Sequence, residues 1–359
     1  MIAKGNGVYL RPGGLLGGEA ARQAFKQSKA GLIGAGWVAY SLVEVIERAG
    51  NSVERSWHSY ADICASDDAA IGALLKQIEA PRLSIAGLAM SEPQIMGIVN
   101  VTPDSFSDGG HFLQTNVAIT HGKALYEAGA SILDIGGEST RPGADYVSED
   151  DEAKRVVPVL EGLKGLGAAL SVDTRKSLVM RKGVEAGANF INDVTALSFS
   201  DDSMETVSDL NMSVCLMHSQ GSPKTMQDNP QYDDVVLDIY DYFVERIRLC
   251  VAAGIAVEQI VVDPGIGFGK TVRHNLALID EIAMFHGLGV PILLGASRKS
   301  LIGAIMNDPD ASKRLPGSLA VALGGVQSGV QFLRVHDVAE TVQALKIWQA
   351  VENSPQFKL

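Results

Sequence analysis

The chain after residue 94 repeats one unit, a short apolar run that ends in polar residues and leads into a segment with helical spacing. Eight such runs can be counted, and they are IMGIVN to Asn100, SILDIGGE to Glu138, ALSVD to Asp173, NFIND to Asp193, SVCLMH to His218, QIVVD to Asp263, PILLGASRK to Lys299 and QFLRVH to His336. Apolar runs of this length are typical of buried strands. Eight alternating strand and helix units over roughly 260 residues predict a (β/α)8 barrel, an α/β fold of the TIM-barrel type.

A doubly wound open sheet is the alternative fold for alternating strands and helices. Its functional groups collect where the strand order reverses, whereas all eight strands of a barrel end at one mouth. Nearly every predicted strand here ends in polar groups, which favours the barrel. Four of the helical segments also end at a glycine, which can take the left-handed conformation found at helix C-termini. These glycines are Gly129, Gly187, Gly254 and Gly329.

Residues 1–92 form a section apart, and we predict a small α-rich extension or subdomain here, followed by the barrel domain at 93–359. The segments GLLGGEAARQAF, GLIGAGWVAYSLVEVIERAG and DDAAIGALLKQIEA suggest short helices separated by glycines. GLIGAG resembles a dinucleotide-binding loop only loosely, because the third spaced glycine and the later acidic residue are missing. The expected role of this section is stabilisation or an interface.

The composition restricts the partners of the chain. A net charge of −12 argues against nucleic acid or an anionic membrane as the main partner. The three cysteines are too few and too scattered for a disulfide framework, and they fit a reducing cytoplasm. No apolar run approaches the roughly 20 residues that span a bilayer, and the N-terminus does not resemble a signal peptide. We expect a cytoplasmic protein that acts on small molecules.

The polar residues at the strand ends indicate what the barrel mouth binds. Carboxylates and amides on successive strands would make a pocket for a heterocycle rich in N–H donors, to which a buried carboxylate forms strong hydrogen bonds. They are Asp134, Glu138, Asp173, Asp193, Asp263, Asn100 and Asn192. For any single aspartate the alternative is structural, since an Asp after a strand often caps a helix or binds loop amides. Asp134, inside its strand, would then only brace the barrel.

Arg334 and His336 lie two apart on the last strand, so their side chains should point to the same side. With Arg141 they are suited to hold a di- or triphosphate, and the last strands of such barrels commonly carry the phosphate site. The alternative is surface salt bridging by Asp337 and its neighbours. The histidine spacing indicates no protein-built zinc site. A Mg²⁺ ion held mainly by substrate phosphates and one amide such as Asn100 is compatible with this sequence.

Nine motifs, spread over seven or eight strand ends and about 240 residues, closely resemble the dihydropteroate synthase family. They are NVTPDSFSDGG at 100–110, GGESTRPGA at 136–144, SVDTRK at 171–176, IND at 191–193, CLMHSQGSPKTMQ at 215–227, DPGIGFGK at 263–270, GASRKSLIG at 295–303, GSLA at 317–320 and RVHDV at 334–338. The resemblance implies a transferase of folate biosynthesis that joins 6-hydroxymethyl-7,8-dihydropterin diphosphate to 4-aminobenzoate.

The resemblance also implies a role for each matching residue. The pterin would be held by Asp173, Asn192, Asp263 and Lys299, with Met217 and Gly267 lining its pocket. The diphosphate and Mg²⁺ would be met by Asn100, Arg141, Arg334 and His336. The aminobenzoate site would be shaped by Thr140, Pro142, Phe106, Phe268 and Ser297. Of these, Lys299, Asp173, Asp263, Arg334 and His336 are the expected catalytic residues.

The family is thought to ionise the C–O bond first, so no strong enzymic nucleophile is expected, and none is indicated by the sequence. The resemblance further implies a homodimer, competition by sulfonamides, and a mobile lid at 102–110 that closes with the Arg141 loop. Two alternatives remain at this point. A pterin-binding methyltransferase shares this barrel but would not need Ser297-Arg298-Lys299 or the STRPG loop. A catalytically silent homologue would be expected to have lost a cation or loop residue, and none is lost.

Overall fold

The structure is a computed structural model that describes residues 7–50, 52–101, 111–139, 144–221 and 225–354, without the side chains of residues 111–113. Two sheets organise the chain. The first sheet, of four strands, lies in the N-terminal extension, and the second, of eight strands, forms the barrel. None of the helices in the described ranges is long and apolar enough to cross a membrane.

The extension is a mixed α/β unit rather than the α-rich one predicted. Its elements are β1 (Val8–Leu16), α1 (Gly18–Lys26), β2 (Gly31–Leu32), β3 (Ala39–Ala49), β4 (Ser52–Ser59), α2 (Tyr60–Cys64) and α3 (Ala69–Glu79). The strand β3 pairs antiparallel with β1, β2 and β4. The first and third segments predicted as helices are α1 and α3, but the prediction for residues 31–50 was wrong.

Residues 31–50 fold into β2, a 3-10 turn and β3 because of the strands with which they pair. Val43, Val45 and Ile46 are β-branched and buried, and such residues fit a pleated surface that packs on both faces. The β3 strand pairs with β1 along one edge and with β4 along the other. Tertiary pairing thus overrides an apolar spacing that also fits a helix.

The eight predicted barrel strands are all present. They are β5 (Gln94–Asn100), β6 (Ile132–Gly136), β7 (Ala169–Asp173), β8 (Phe190–Asp193), β9 (Ser213–Met217), β10 (Ile260–Asp263), β11 (Leu293–Leu294) and β12 (Phe332–Val335). They pair in parallel in the order β10-β9-β8-β7-β6-β5-β12-β11. The two ends of this row also meet, since the Val262 N–H donates to the Pro291 carbonyl at 3.0 Å. The sheet therefore closes into the predicted barrel, and the open-sheet alternative is excluded.

Helices cover the outside of the barrel. They are α4 (His111–Glu127), α5 (Glu149–Leu163), α6 (Ser177–Ala186), α7 (Ser203–Leu210), α8 (Val235–Ala252), α9 (Val272–Asp280), α10 (Ser300–Met306), α11 (Leu315–Gln327) and α12 (Val338–Glu352). The predicted left-handed glycines are confirmed, because all four have positive φ, between 80° at Gly329 and 119° at Gly187.

The extension is fixed to the barrel by polar contacts as well as by packing. The Tyr9 hydroxyl donates to Asp241 at 2.9 Å, and Arg48 binds Asp238 at 2.7 Å, both on α8. The Trp37 indole donates to the Val326 carbonyl at 2.9 Å. Tyr9 is also buried within the main hydrophobic core of the barrel. These contacts agree with a stabilising role for the extension.

Candidate active site

The interior of the barrel is built in layers, one residue from each strand. The lowest layer is apolar and buried, and it consists of Met96, Ile132, Ala169, Phe190, Cys215, Val261, Leu293 and Phe332. Ile85 and Met90, from the segment before β5, close this layer from below. Because side chains alternate along a strand, the residues two positions later also face the interior. These are Ile98, Asp134, Ser171, Asn192, Met217, Asp263, Gly295 and Arg334, and most of them are polar.

Asp134 is the centre of this second layer. It is fully buried, and it accepts hydrogen bonds from Ser171 Oγ at 2.5 Å, Asn192 Nδ2 at 3.0 Å and Arg334 Nε at 2.6 Å. The bond from Asn192 Nδ2 fixes the orientation of that amide, so its oxygen is left to accept from a ligand. The sequence analysis counted Asp134 among the pocket carboxylates, with a purely structural role as the alternative. Its position in register with Ser171, on the neighbouring strand, is the signal that could have revealed its role.

Arg334 joins Asp134 to Asp173. Its Nε binds Asp134 and its NH2 nitrogen binds Asp173 Oδ2 at 2.7 Å. One cation is therefore shared by two carboxylates. Burial, together with the charge of Asp134, raises the pKa of Asp173 to about 8, against the lowering effect of Arg334. A bound ring that carries positive charge would lower that pKa again, because it would neutralise the excess negative charge.

Asp337 does form a salt bridge, as the alternative interpretation expected, but its partner is Arg298. Asp337 accepts from Arg298 Nε at 2.9 Å, and Arg298 has a left-handed φ of 55°. Arg334 binds Asp134 and Asp173. His336 instead lies with its Nδ1 3.1 Å from Ser297 Oγ, and its backbone N–H donates to the same oxygen at 3.2 Å.

Asp263 ends β10, and Lys299 lies against the loop that follows this strand. Asp263 accepts from the Gly265 N–H at 2.7 Å, and burial raises its pKa. The Lys299 ammonium lies 4.0 Å from the centre of the Phe268 ring, a cation–π contact. Gly267 makes room for this arrangement, since a Cβ on it would come within 3.3 Å of Lys299 Cδ. The structure thus brings Lys299, Gly267 and Phe268 together.

Lys270 is a buried lysine that the sequence analysis did not assign. Its Nζ donates to the Phe268 carbonyl at 2.9 Å and lies 2.9 Å from His218 Nδ1. Burial is the main cause that lowers the pKa of Lys270 to about 7 and that of His218 to about 2. The pair ties the loop after β9 to the loop after β10. No spacing in the sequence distinguishes such a lysine from an exposed one.

Two of the carboxylates proposed for the pocket lie elsewhere. Asp193 binds the N–H groups of Thr195 and Leu197 in its own loop, at 2.7 and 2.9 Å, which is the structural alternative considered for it. Glu138 binds Arg175 and Lys176 beside the mouth. Four further predicted residues lie outside the described residues, and they are Phe106, Thr140, Arg141 and Pro142. The lid predicted at 102–110 also lies outside them.

Known proteins share this fold and these motifs. A family profile described as "Pterin binding enzyme" matches residues 96–336. The dihydropteroate synthase of Escherichia coli K12 is 46% identical over 272 residues, which are 76% of this chain and 96% of that relative. Among solved structures, Xanthomonas albilineans dihydropteroate synthase with 4-aminobenzoic acid has a TM-score of 0.71 at 48% identity, over 76% of this chain and 98% of its own. Yersinia pestis dihydropteroate synthase with a sulfonamide drug complex has a TM-score of 0.71 at 47% identity, over 75% and 98%. We conclude that the chain belongs to the dihydropteroate synthase family of pterin-binding enzymes.

Proposed function

We propose that this chain condenses 6-hydroxymethyl-7,8-dihydropterin diphosphate with 4-aminobenzoate, forming 7,8-dihydropteroate and diphosphate in folate biosynthesis. The observation that carries the proposal is the polar interior layer, in which Asp134 orients Asn192 and shares Arg334 with Asp173. A buried layer of hydrogen-bond acceptors with excess negative charge suits a flat, N–H-rich ring that becomes positively charged during the reaction.

The pterin is held by its edge. Asp173, Asp263 and the Asn192 oxygen are acceptors for the ring N–H groups, and each charge-assisted hydrogen bond contributes about 1.5–3 kcal/mol. Met217, 4% exposed at the end of β9, offers an apolar surface to the ring face. Lys299, held over Phe268, donates to the acceptor atoms of the ring. These contacts orient the reacting CH2 group towards the barrel mouth.

The reaction begins with cleavage of the C–O bond, whose electron pair leaves with the diphosphate. The positive charge that remains is spread over the pterin ring, where the carboxylates of Asp173 and Asp263 stabilise it. Arg334 lies on β12 and His336 directly follows that strand. Both meet the leaving group, together with Asn100 and Arg141. Closure of the loops at the mouth keeps water from capturing the cation.

The amine of 4-aminobenzoate then attacks the cationic CH2 carbon. The new C–N bond uses the lone pair of the nitrogen, and the nitrogen afterwards loses one proton to solvent. An enzymic nucleophile is not required for this order of steps. Phe268 and Ser297, on neighbouring loops, shape the aminobenzoate site together with Phe106, Thr140 and Pro142.

Mg²⁺ is the cofactor that we propose. The donor set fits an ion held mainly by the substrate, because Asn100 offers one amide oxygen at the end of β5 and no group of three His, Cys, Asp or Glu that could hold a metal occurs among the described residues. When bound, Mg²⁺ would neutralise charge that develops on the departing diphosphate. We also infer a cytoplasmic homodimer, which light scattering on the purified protein tests.

One assay tests the function. Purified protein is mixed with the pterin diphosphate, Mg²⁺ and radiolabelled 4-aminobenzoate, and labelled dihydropteroate is expected, with loss of product when EDTA is added. Absence of product at micromolar enzyme overturns the proposal, and it is the outcome expected of a pterin-binding methyltransferase or of a silent homologue. Sulfonamides are expected to inhibit in competition with 4-aminobenzoate. Inhibition that excess aminobenzoate does not relieve contradicts that expectation.

A further inference from the structure

Lys270 joins the loop after β9 to the loop after β10. It is 3% exposed. Its Nζ donates to the Phe268 carbonyl at 2.9 Å and to the His218 carbonyl at 3.3 Å, and it lies 2.9 Å from His218 Nδ1. The two loops approach closely here, because a Cβ on Gly265 would lie 1.9 Å from the His218 carbonyl oxygen and 3.3 Å from Lys270 Nζ. Lys270 thus contacts the backbone of both loops.

The loop after β10 depends on side chains for its shape. We call residues 264–269 the β10 loop, and it contains no helix or strand. Its three glycines alternate along the loop, and all of them have positive φ. At its centre, the Gly267 N–H donates to Asn275 Oδ1 at 2.8 Å, and the next carbonyl, that of Phe268, accepts from Lys270. The position of Phe268 therefore depends in part on Lys270.

Phe268 connects Lys270 to the pterin pocket. The Lys299 ammonium lies 4.0 Å from the centre of the Phe268 ring, and the face of an aromatic ring attracts a cation at this distance. Gly267 packs against the stem of the same lysine, since a Cβ on it would come within 3.3 Å of Lys299 Cδ. A shift of the β10 loop would therefore remove the support of Lys299.

We propose that Lys270 is a positioning residue for the pterin, because it holds the backbone of Phe268, whose ring in turn holds the Lys299 ammonium. This inference rests on the proposed function, in which Lys299 donates to the acceptor atoms of the pterin ring. A donor that is already held in place has less conformational freedom to lose when the ligand binds, so Lys270 raises the affinity without a direct contact.

A purely stabilising role does not explain this lysine. Its three acceptors are uncharged, since the pKa of His218 is lowered to about 2. Burial also lowers the pKa of Lys270 to about 7, which means that the folded protein binds this proton less well than the unfolded chain does. An apolar side chain could fill the same space without that cost, but it could not donate to the Phe268 carbonyl. The backbone contact is therefore what stability alone does not explain.

The first test replaces the amine by an apolar group of similar length, Lys270→Met. We expect the Kd of 6-hydroxymethylpterin, measured by calorimetry, to rise about tenfold, the equivalent of one oriented hydrogen bond. Lys346→Met is the matched control, because Lys346 is an exposed lysine on α12. Its Kd should stay within about twofold of wild type. An unchanged Kd in folded Lys270→Met overturns the proposal.

A double-mutant cycle with Lys299 shows whether Lys270 acts through it. Lys299→Met removes the donor to the pterin, so the Kd should rise by about tenfold or more. Lys270→Met should then add less than about twofold in this background, because the group that it positions is already missing. A general loosening of the protein would weaken pterin binding by the same factor in both backgrounds, and that result overturns the proposal.

A further variant separates positioning from folding, since Lys270→Met leaves His218 buried without its partner. The double variant Lys270→Met/His218→Leu removes both polar side chains and should bring the melting temperature closer to that of wild type. The Kd of 6-hydroxymethylpterin should stay raised, because the Phe268 carbonyl still lacks its donor. A Kd that returns to the wild-type value with stability contradicts the positioning role.

Hydrogen exchange gives a readout that does not depend on activity. The Phe268 amide donates to the Gly265 carbonyl at 3.1 Å within the β10 loop. It should exchange at least tenfold faster in Lys270→Met than in wild type, with no change in Lys346→Met. If wild-type protein forms no dihydropteroate, the proposed function fails, while unchanged exchange at Phe268 shows separately that Lys270 does not hold the loop. Faster exchange with an unchanged pterin Kd also overturns the positioning role.

Discussion

Asp134→Leu is the substitution that tests the interior layer most directly. Leucine has a similar size, but it cannot accept the hydrogen bonds from Ser171, Asn192 and Arg334. Two buried donors, on Ser171 and Asn192, and the partly buried Arg334 would lose an acceptor at once. Arg334 would keep Asp173 as its only carboxylate partner among the contacts described for it.

The expected loss of stability follows from these contacts. Removal of one partner of a buried ion pair costs about 3–5 kcal/mol. A buried neutral donor left without an acceptor costs about 1–3 kcal/mol, but such costs in one network are not additive. We therefore expect the free energy of unfolding to fall by about 4 kcal/mol. This is a large part of the roughly 5–15 kcal/mol of a typical protein, so the variant should still fold at low temperature.

Ligand binding should weaken for a separate reason. Without Asp134, the Asn192 amide is no longer held with its oxygen towards the pterin. Loss of one oriented hydrogen bond, about 1.4 kcal/mol, corresponds to about tenfold in Kd. Titration of 6-hydroxymethylpterin by calorimetry at 10 °C, on protein whose far-ultraviolet circular dichroism matches wild type, measures this effect.

Asp134→Asn is the matched control, because its amide oxygen can still accept from Asn192 and Arg334 while its nitrogen donates to Ser171 Oγ. Its pterin affinity should remain within about threefold of wild type, since Asn192 stays oriented. Wild-type pterin affinity in folded Asp134→Leu refutes the reasoning. Equal losses in the two variants would show that the charge of Asp134, rather than its hydrogen bonds, matters.

Three further substitutions test other parts of the molecule. Gly267→Ala should lower kcat/KM about tenfold, because position 267 has a φ of 85° and a Cβ there would press on Lys299; unchanged kinetics contradict this. Lys270→Met removes a lysine whose pKa is lowered to about 7 in the folded protein. In the unfolded chain the same lysine keeps its proton up to about pH 10. Between these two pH values the unfolded wild type therefore binds more protons than the folded protein. Wild type should then gain stability over this variant as pH rises, by up to about 1.4 kcal/mol per pH unit, in denaturant melts at pH 7, 8 and 9. Arg48→Met breaks the contact with Asp238 and should lower the free energy of unfolding by about 2 kcal/mol while KM values stay constant.

The barrel could be predicted from the sequence because its signal repeats eight times. Each strand carries a short apolar run, and a single misread run would not have changed the fold class. The extension has no such repetition. Residues 31–50 contain apolar residues at spacings that fit a helix or a strand, and the choice depends on pairing of β3 with β1 and β4, which no local pattern contains.

The contacts that join the candidate site residues could not be predicted from the sequence. The motifs identified Asp173, Asn192 and Asp263, but they treat each strand separately. The hydrogen bonds of Asp134 run across strands to residues 37, 58 and 200 positions away. Glu138 was proposed for the pocket, but its partners Arg175 and Lys176, in the turn between β7 and α6, hold it beside the mouth.

A parity rule separates the pocket aspartates from the structural one. Starting from the buried apolar layer, every second residue of a strand faces the interior, which places Asp134 two after Ile132 and Asn192 two after Phe190. Asp193 has the opposite parity, and its carboxylate turns to its own loop amides instead. The rule needs only the register of the lowest layer, which holds one buried apolar residue from each strand. In this family of barrels, an acidic residue within a strand is therefore a site candidate when it lies an even number of positions after that apolar residue.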